Sequence, residues 1–394
     1  MQRGDQAAAR AALSDLAHPK ALHLLALVEK SAGDFDSARE LLERAAVADP
    51  GDPEIANNQA VLAVQTGDRA AGEAAFKRAL ALRPDFLQAA TGLGRLLIDE
   101  ARWQEAETVY AKLKADSGDS VPVRYGYATV QLGLGHVEAA EATFDELVRS
   151  GNSEPQIRFM RARARLEQKR IEEALEDLEA AHATGPSEHT LKTLAGTLWM
   201  TGDRQRFDKL LGEAVRDPAL VVTGSELMRQ SGDPVRAIRS LDKLRESHVL
   251  PPEAWIVSAS ACIDANDPVA AEKAARTCLE QDPSNRIIPA NLTTSLLMQG
   301  KADEALDVAL TMRAREPLAQ HWIAYQATAL RLLDDPDYGR LVDLDRFVRP
   351  YALPVPDGYD SIEDFNAAFL SALDRWHPYE RHPLDQSLRD GSQT

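Results

Sequence analysis

Cysteine is almost absent from this sequence. The 394 residues include two, Cys262 and Cys278. Two thiols cannot form a disulfide framework and cannot complete a four-thiolate zinc site, so neither kind of cross-link holds this fold together. We therefore predict that both are small, buried, apolar side chains of a protein in a reducing compartment.

Aromatic residues and long apolar runs are scarce as well. Aromatics make up 6% of the chain, and alanine is abundant, a composition that favours closely packed helices over a sheet. No segment approaches the roughly 18 apolar residues of a membrane span, and no cationic stretch followed by an apolar one stands at the N-terminus. These absences predict a cytoplasmic protein.

Basic residues are fewer than acidic ones. The chain has 45 lysine and arginine residues against 62 aspartate and glutamate residues, a formal net charge of −17. A protein that binds nucleic acid needs a basic surplus to displace counterions from the phosphates, and an anionic membrane attracts the same surplus. We therefore predict neither a nucleic-acid partner nor a membrane partner.

A repeat is the main feature that the sequence does contain. Small residues recur every 34 positions, in two registers that stay in step over five units. The first register consists of Ala26, Ala60, Gly94, Ala128 and Ala162. The second consists of Ala38, Gly72, Ala106, Ala140 and Ala174. This spacing predicts pairs of helices that cross closely at their small residues, where a larger side chain would overpack the contact.

Other residue types keep the same period. Gly33 and Gly67 fall between the two helices of a pair, where a positive φ ends the first helix. Bulky residues follow the second register by four positions and share its helix face: Leu42, Phe76, Tyr110, Phe144 and Leu178. Pro50 and Pro84 close second helices, because proline lacks the backbone donor that would continue them.

The segments "AGDFDSARELLERAAVADP" (32–50) and "QGKADEALDVALTMRAREP" (299–317) show the pattern most clearly. With this pattern the chain resembles the tetratricopeptide repeat. The resemblance implies an all-α fold, a right-handed superhelical solenoid of antiparallel helix pairs that binds partners along its concave side. We assign residues 1–333 to this solenoid.

The repeat is imperfect at three places. Phe207 stands where a small residue is expected, which predicts a looser or rotated pair near 188–218. We count nine pairs from about 19 to 318 and a degenerate tenth that fades by Asp334. "GDQAAARAAL" (4–13) resembles the second helix of a repeat, so that either the chain starts inside a repeat or this helix is itself a cap.

Periodicity ends after residue 333, and we assign 334–394 to a linker, a capping helix and the start of a missing domain. Three prolines and a glycine in 347–360 favour an extended linker. The next segment, 361–377, has the pattern of an amphipathic helix with Ser361 as its N-cap. We expect its apolar side chains, Phe365, Phe369 and Leu373, to dock on Ala324, Leu330 and Leu333 of the last repeat.

The last stretch, from about 341, resembles the lead-in of a bacterial 2-oxoglutarate/Fe(II)-dependent oxygenase family. The matching residues are Trp376, His377, His382, Pro383, Gln386, Ser387, Leu388, Arg389, Gly391, Gln393 and Thr394; Asp390 and Ser392 depart from the family's usual Gly and Thr. The resemblance implies Fe(II) and 2-oxoglutarate as cofactors of a jelly-roll domain beyond this chain. It assigns no catalytic, cofactor-binding or metal-binding residue within the chain.

Two histidine motifs invite a metal interpretation. His136 and Glu138 have the His-x-carboxylate spacing of an iron site, but they stand at the start of a repeat helix with no second histidine nearby in the pattern. We interpret them as a solvated helix start. His377 and His382 flank a turn near several acids, and we interpret them as surface or packing residues.

The concave groove is the preferred candidate site, with a protein or peptide as the ligand. Counted from each repeat start, its exposed positions hold Asn57, Asn58, Arg95, Tyr125, Phe159, Arg163 and Asn291. The helix "IRFMRARAR" (157–165) brings four arginines into an acidic protein. They could bind a partner's carboxylates, or they could neutralise the glutamates of neighbouring repeats. The lysine and asparagine pattern with which some members of the family clamp a C-terminal carboxylate is not evident.

Three hypotheses of function follow. The first is the substrate-recognition or partner-recognition region of an oxygenase that is truncated before its catalytic domain. The second is a stand-alone adaptor, similar to a co-chaperone, without enzymatic activity. The third, a repeat-fused glycosyl- or sulfotransferase, agrees less well with the C-terminal segment.

Overall fold

A computed structural model of the chain describes residues 18–376 and Leu384. Within those residues every regular element is a helix and no strand occurs. The predicted all-α fold is therefore confirmed. The half-repeat predicted at 4–13 and the stretch around His377 and His382 lie outside the described residues.

The chain divides into two compact units, Met1–Ala181 and His182–Thr394. The helices of the first unit are α1 (Pro19–Ala32), α2 (Phe35–Ala48), α3 (Pro53–Gln65), α4 (Arg69–Leu82), α5 (Leu87–Asp99), α6 (Trp103–Ser117), α7 (Val121–Gly133), α8 (Val137–Arg149), α9 (Pro155–Glu167) and α10 (Ile171–Thr184). The boundary between the units falls in the last turn of α10.

The second unit continues the same alternation. Its helices are α11 (Glu188–Met200), α12 (Arg204–Ala214), α13 (Val221–Gln230), α14 (Pro234–Arg245), α15 (Pro252–Asp264), α16 (Pro268–Gln281), α17 (Ile288–Met298), α18 (Ala302–Arg315), α19 (Gln320–Leu332), α20 (Asp337–Leu341), α21 (Leu344–Phe347) and α22 (Ile362–Trp376). Helices α1 to α18 form nine consecutive pairs within the described range, as the repeat count predicted.

A Gly-Asp turn joins the two helices of several pairs. Gly33 ends α1 with a φ of +86°, and the carboxylate of Asp34 then accepts a 3.1 Å hydrogen bond from the backbone N–H of Ser37 in the first turn of α2. Gly67 and Asp68 repeat this arrangement between α3 and α4. Glycine takes the left-handed conformation without steric cost, and the aspartate satisfies a donor that a helix start leaves free. The chain thus reverses within a few residues.

The small residues lie buried at the crossings of the paired helices. Ala38, Ala106 and Ala140 have no exposed surface. Bulky residues one turn later fill the space between successive pairs, and Phe144 is likewise fully buried. The helix registers predicted from the 34-residue step are therefore confirmed.

Tyr110 shows how tightly one pair packs on the next. A Cβ atom added to Gly94 on α5 would lie 2.5 Å from Cε2 of the Tyr110 ring. A Cβ atom added to Gly126 on α7 would overlap the other edge of the same ring. The ring of Tyr110, which belongs to α6, is thus enclosed by two glycines, and no other residue type fits at either place without displacing it.

The repeat around Phe207 in the second unit differs from those of the first unit in its packing and in the length of its helices. Phe207, in the position of a small residue, is fully buried, and its ring lies 5.3 Å from the ring of Trp199. Helices α12 and α13 have 11 and 10 residues, shorter than the 13 or more of the first-unit helices. Small residues return at the crossings with Ala237, Ala271 and Ala305.

The C-terminal helix forms but does not cap the repeats. Ser361 accepts a 3.1 Å hydrogen bond from the backbone N–H of Asp364, which confirms it as the N-cap of α22. The expected docking of α22 on α19 is wrong, because Phe369 is 52% exposed and Ala324 is itself exposed. The aromatic rings contact one another instead: the ring of Phe365 meets that of Tyr359 edge to face, with 5.2 Å between their centroids, and stacks on that of Phe369 at 5.9 Å.

We predict that Gly126→Ala destabilises the first unit by about 1–3 kcal/mol, because the new methyl group must displace the buried ring of Tyr110. Gly196 on α11 is the matched control, since an added Cβ atom there meets no neighbour within 4 Å. Gly196→Ala should leave stability unchanged or raise it by up to about 1 kcal/mol through helix propensity. Urea unfolding followed by circular dichroism measures both, and equal effects would contradict this account of the Tyr110 contact.

Candidate functional site

The predicted groove residues lie on two separate units. Asn57 and Asn58 stand on α3, Arg95 on α5, Tyr125 on α7, and Phe159 and Arg163 on α9, all in the first unit; Asn291 stands on α17 of the second. Helices α3, α5, α7 and α9 are the first helices of successive pairs, and each packs on the next. We call the exposed side that they share the first-helix face.

The asparagines are engaged inside the protein. Nδ2 of Asn58 lies 2.6 Å from Nε2 of His23 on α1, and burial lowers the pKa of that histidine. Asn57 is half-buried, and its Oδ1 is buried without a hydrogen-bond partner. Asn291 donates to the hydroxyl of Ser260 at 2.8 Å. Asn58 and Asn291 therefore join neighbouring first helices.

Phe159 is not available to a partner. Its side chain is 5% exposed, so the prediction of a partner contact there is wrong. Phe159 lies one turn before Arg163 on α9, and the two side chains occupy different environments, because Arg163 is exposed. The helix pattern placed α9 correctly but did not resolve which of these two side chains packs inward.

Arg95, Tyr125 and Arg163 remain as a cluster on the first-helix face. Both arginines are exposed and neither forms an ion pair with another described residue; Nη1 of Arg163 lies 4.0 Å from the sulfur of Met160. Tyr125 is half-buried, with its ring 6.1 Å from that of Phe144. We call these three residues the Arg–Tyr–Arg cluster.

The three members of the cluster stand on three adjacent first helices. Helix α7, which carries Tyr125, packs on α5, which carries Arg95, and on α9, which carries Arg163. Burial raises the pKa of Tyr125, and the charges of the two arginines act in the opposite direction. The phenol therefore lies on a helix between two helices that each carry one exposed arginine.

The other three arginines of α9 have a structural role. Arg161 donates two hydrogen bonds to Asp177 on α10, at 2.7 and 2.5 Å, and a third to Asp145 on α8 at 2.8 Å. Arg165 donates to Asp177 at 2.9 Å, and Arg158 lies 3.4 Å from it. Asp177 is 2% exposed, so its charge needs these partners. Arg161 and Arg165 also bind Asp145 and Glu141 of the preceding pair, so the neutralisation hypothesis holds for these two arginines, whereas the partner of Arg158 lies within its own pair.

A second set of ion pairs escaped the sequence analysis. Glu73, Glu141 and Glu272 each follow a small residue of a second helix, and each binds a base 29 positions later. The bases are Arg102, Arg170 and Lys301. Hydrogen bonds from Arg102 and Lys77 lower the pKa of Glu73 to about 2. This signal is present in the sequence, because an acidic residue next to a small register residue is followed by a basic residue 29 positions later.

Metal ligands do not assemble in the described part of the chain. No three or more His, Cys, Asp or Glu residues there are placed to hold a metal ion. His136 and Glu138 are exposed at the start of α8, as interpreted from the sequence. Cys262 and Cys278 are both buried thiols, also as predicted, and burial raises the pKa of Cys262 to about 11.

No helix between residues 18 and 376 is both long and apolar enough to cross a bilayer.

Three sequence models described as tetratricopeptide repeat match the chain. One matches residues 19–62, another residues 63–120, and the third residues 125–189 and 227–286. Together these segments make up more than half of the 394 residues. The chain belongs to the tetratricopeptide-repeat family. The repeats of such arrays stack into extended surfaces that serve protein–protein interaction, and this chain is a scaffold of that kind.

Several solved structures are similar to this chain. A thermophilic tetratricopeptide-repeat protein of Thermus thermophilus, TTC0263, is 22% identical, with 46% of this chain and 99% of that chain covered and a TM-score of 0.39. The tetratricopeptide-repeat domain of P58(IPK) is 16% identical, with 80% and 98% covered and a TM-score of 0.27. PilW, a type IV pilus biogenesis factor, is 14% identical, with 71% and 98% covered and a TM-score of 0.39. Among curated proteins, none matches the chain.

We predict that two arginines on α9 differ in their effect on stability. Arg161→Gln should cost about 1–3 kcal/mol, because it removes the closest partner of the buried Asp177 charge while Arg165 and Arg158 remain. Arg163→Gln should change stability by no more than about 0.5 kcal/mol, since its guanidinium binds no carboxylate and is exposed. Thermal and urea unfolding of the two variants test this contrast, which similar losses would contradict.

Proposed function

We propose that this tetratricopeptide-repeat chain is the partner-recognition region of a 2-oxoglutarate/Fe(II)-dependent oxygenase. In this proposal the first-helix face of the first unit binds a segment of a protein substrate or partner. The repeats hold that segment, and chemistry takes place in a domain that follows the chain.

The observation that carries the binding proposal is the contrast among the arginines of α9. Arg158, Arg161 and Arg165 bind acidic residues of neighbouring helices, whereas Arg163 faces outward without a carboxylate partner. Within α9, Arg163 is thus the arginine that stays available to a partner's carboxylate. Arg95 repeats the exposed arrangement two first helices earlier. Such a face supports binding of a partner that brings its own polar and anionic groups.

Two features support the link to an oxygenase. The first is the resemblance of the C-terminal residues, from Trp376 to Thr394, to the lead-in of that family. The second is the exposed apolar surface of α22, where Phe369 and Leu370 are 52% and 60% exposed. Large exposed apolar side chains on one helix favour a surface that another domain covers.

Iron chemistry needs residues that the described chain does not bring together. A facial triad combines two histidines and a carboxylate, and the chain between residues 18 and 376 places no such group. Bound iron with 2-oxoglutarate would activate oxygen for oxidation of the substrate. We therefore assign this chain the binding of the substrate and derive no catalytic step from its residues. A stand-alone adaptor would use the same face without catalysis.

Site-specific photo-crosslinking tests the binding face. A benzophenone amino acid replaces Gln88, an exposed residue of α5 that lies two helical turns before Arg95. The control position is Gln104, which is also exposed but lies on α6, the second helix of the same pair. We expect crosslinks to protein partners from position 88 and none from position 104. Crosslinks from position 104 alone, or equal yields from both, would place the binding surface elsewhere.

Translation of the coding frame past Thr394 tests the oxygenase link. We expect a strand-rich segment with a His-x-carboxylate motif and a second histidine further along. A stop codon directly after Thr394 would refute that link and leave the adaptor function.

A further inference from the structure

The Arg–Tyr–Arg cluster defines the chemistry of the partner more closely than the proposed function does. Three observations bear on it: the two arginines are exposed, they bind no carboxylate among the described residues, and they stand on the helices either side of α7, which carries the half-buried Tyr125. Asp99, one turn after Arg95 on α5, is exposed and forms no ion pair with it. The two arginines thus carry positive charges without a carboxylate partner among the described residues, on a chain of net charge −17.

Packing makes the cluster rigid below its surface. Arg95 follows Gly94, and Tyr125 precedes Gly126, and both glycines pack against the ring of Tyr110. Arg163 follows Ala162, which has no exposed surface. Each member of the cluster thus stands next to a small residue of a close helix crossing. The backbones that carry the three side chains are fixed by the core, so little backbone ordering is left for a ligand to induce.

We propose that the Arg–Tyr–Arg cluster binds two carboxylates of one extended acidic segment in a partner protein, one carboxylate at each arginine, with the segment crossing Tyr125. This inference rests on the proposed function, because it takes the first-helix face as the binding surface. Guanidinium groups bind carboxylates through charge-assisted, often paired, hydrogen bonds. The phenol between them offers a flat apolar surface and a hydroxyl to the intervening residues.

The helix spacing sets the distance between the two carboxylates. Packed helices lie about 8–10 Å apart, so the axes of α5 and α9, with α7 between them, are roughly 16–20 Å apart. An extended chain advances about 3.3–3.6 Å per residue. The two acidic residues should therefore be about five positions apart in the partner, and two adjacent acidic residues should not reach both arginines.

Isothermal titration of the full chain with synthetic peptides at low ionic strength tests this proposal. The main probe is a ten-residue peptide of alanine, serine and glycine with glutamate at its third and eighth positions. One control peptide has glutamine at both positions, and another has its two glutamates adjacent. We expect the spaced glutamate peptide to bind at least about tenfold more tightly than either control, since each charged hydrogen bond adds roughly tenfold or more.

Matched variants distinguish binding at the Arg–Tyr–Arg cluster from nonspecific electrostatic attraction of the peptide. The double variant Arg95→Gln, Arg163→Gln should weaken binding of the spaced peptide at least about tenfold. The control double variant Arg44→Gln, Arg149→Gln removes the same charge from exposed positions on the second helices α2 and α8, and should leave affinity within about twofold. The variant Tyr125→Phe tests the contribution of the hydroxyl. Its affinity for the spaced peptide should fall between the affinities of the two double variants.

Three results would overturn the inference: equal losses in the two double variants, equal binding of the glutamine peptide, or equal binding of the peptide with adjacent glutamates. These failures differ from failure of the proposed function. If a partner crosslinks at position 88 and binds the Arg95→Gln, Arg163→Gln variant with unchanged affinity, the first-helix face remains the binding surface and the acidic segment is refuted. If nothing crosslinks at position 88, both fail.

Discussion

The close crossing of paired helices at alanine and glycine is the contact on which the rest of this structure depends. Small residues without exposed surface let the two backbones approach, and the space between pairs is then just large enough for one bulky side chain. Tyr110 between Gly94 and Gly126 shows the limit of this packing, because neither glycine could carry a methyl group without moving the ring. The arginines and the tyrosine of the candidate site stand directly beside these crossings, so the packing also positions them.

The sequence predicted the helices and their pairing well because those features are local and repeat. A glycine between helices and a small residue at a crossing have the same meaning wherever they occur, and the structure confirms the crossings from Ala26 to Ala305 except at Phe207. The prediction of individual site residues was less accurate. Phe159 packs inward, and Asn58 and Asn291 bind neighbouring helices. The rotation of each helix about its axis decides these outcomes, and that rotation depends on contacts with the previous pair.

The C-terminal helix shows a different limit of sequence reasoning. The local pattern predicted its boundary and its N-cap correctly, but the docking surface predicted for it was wrong. The pattern of Phe365, Phe369 and Leu373 indicates an apolar face without indicating what covers it. Ring contacts of Phe365 with Tyr359 and Phe369 satisfy part of that need within the segment, and Ala324 stays exposed on α19. An amphipathic pattern therefore predicts that a helix forms more reliably than it predicts where the helix binds.

The ion pairs at the 29-residue offset have a consequence for how such an array can change its length. In each, the carboxylate belongs to one pair of helices and the base to the next, as in Glu73 with Arg102 and Glu272 with Lys301. Each of these ion pairs thus spans two successive pairs of helices, one that supplies the acid and one that supplies the base. A gene duplication that copies both pairs would carry the acid together with its base. A duplication of one pair alone would separate them.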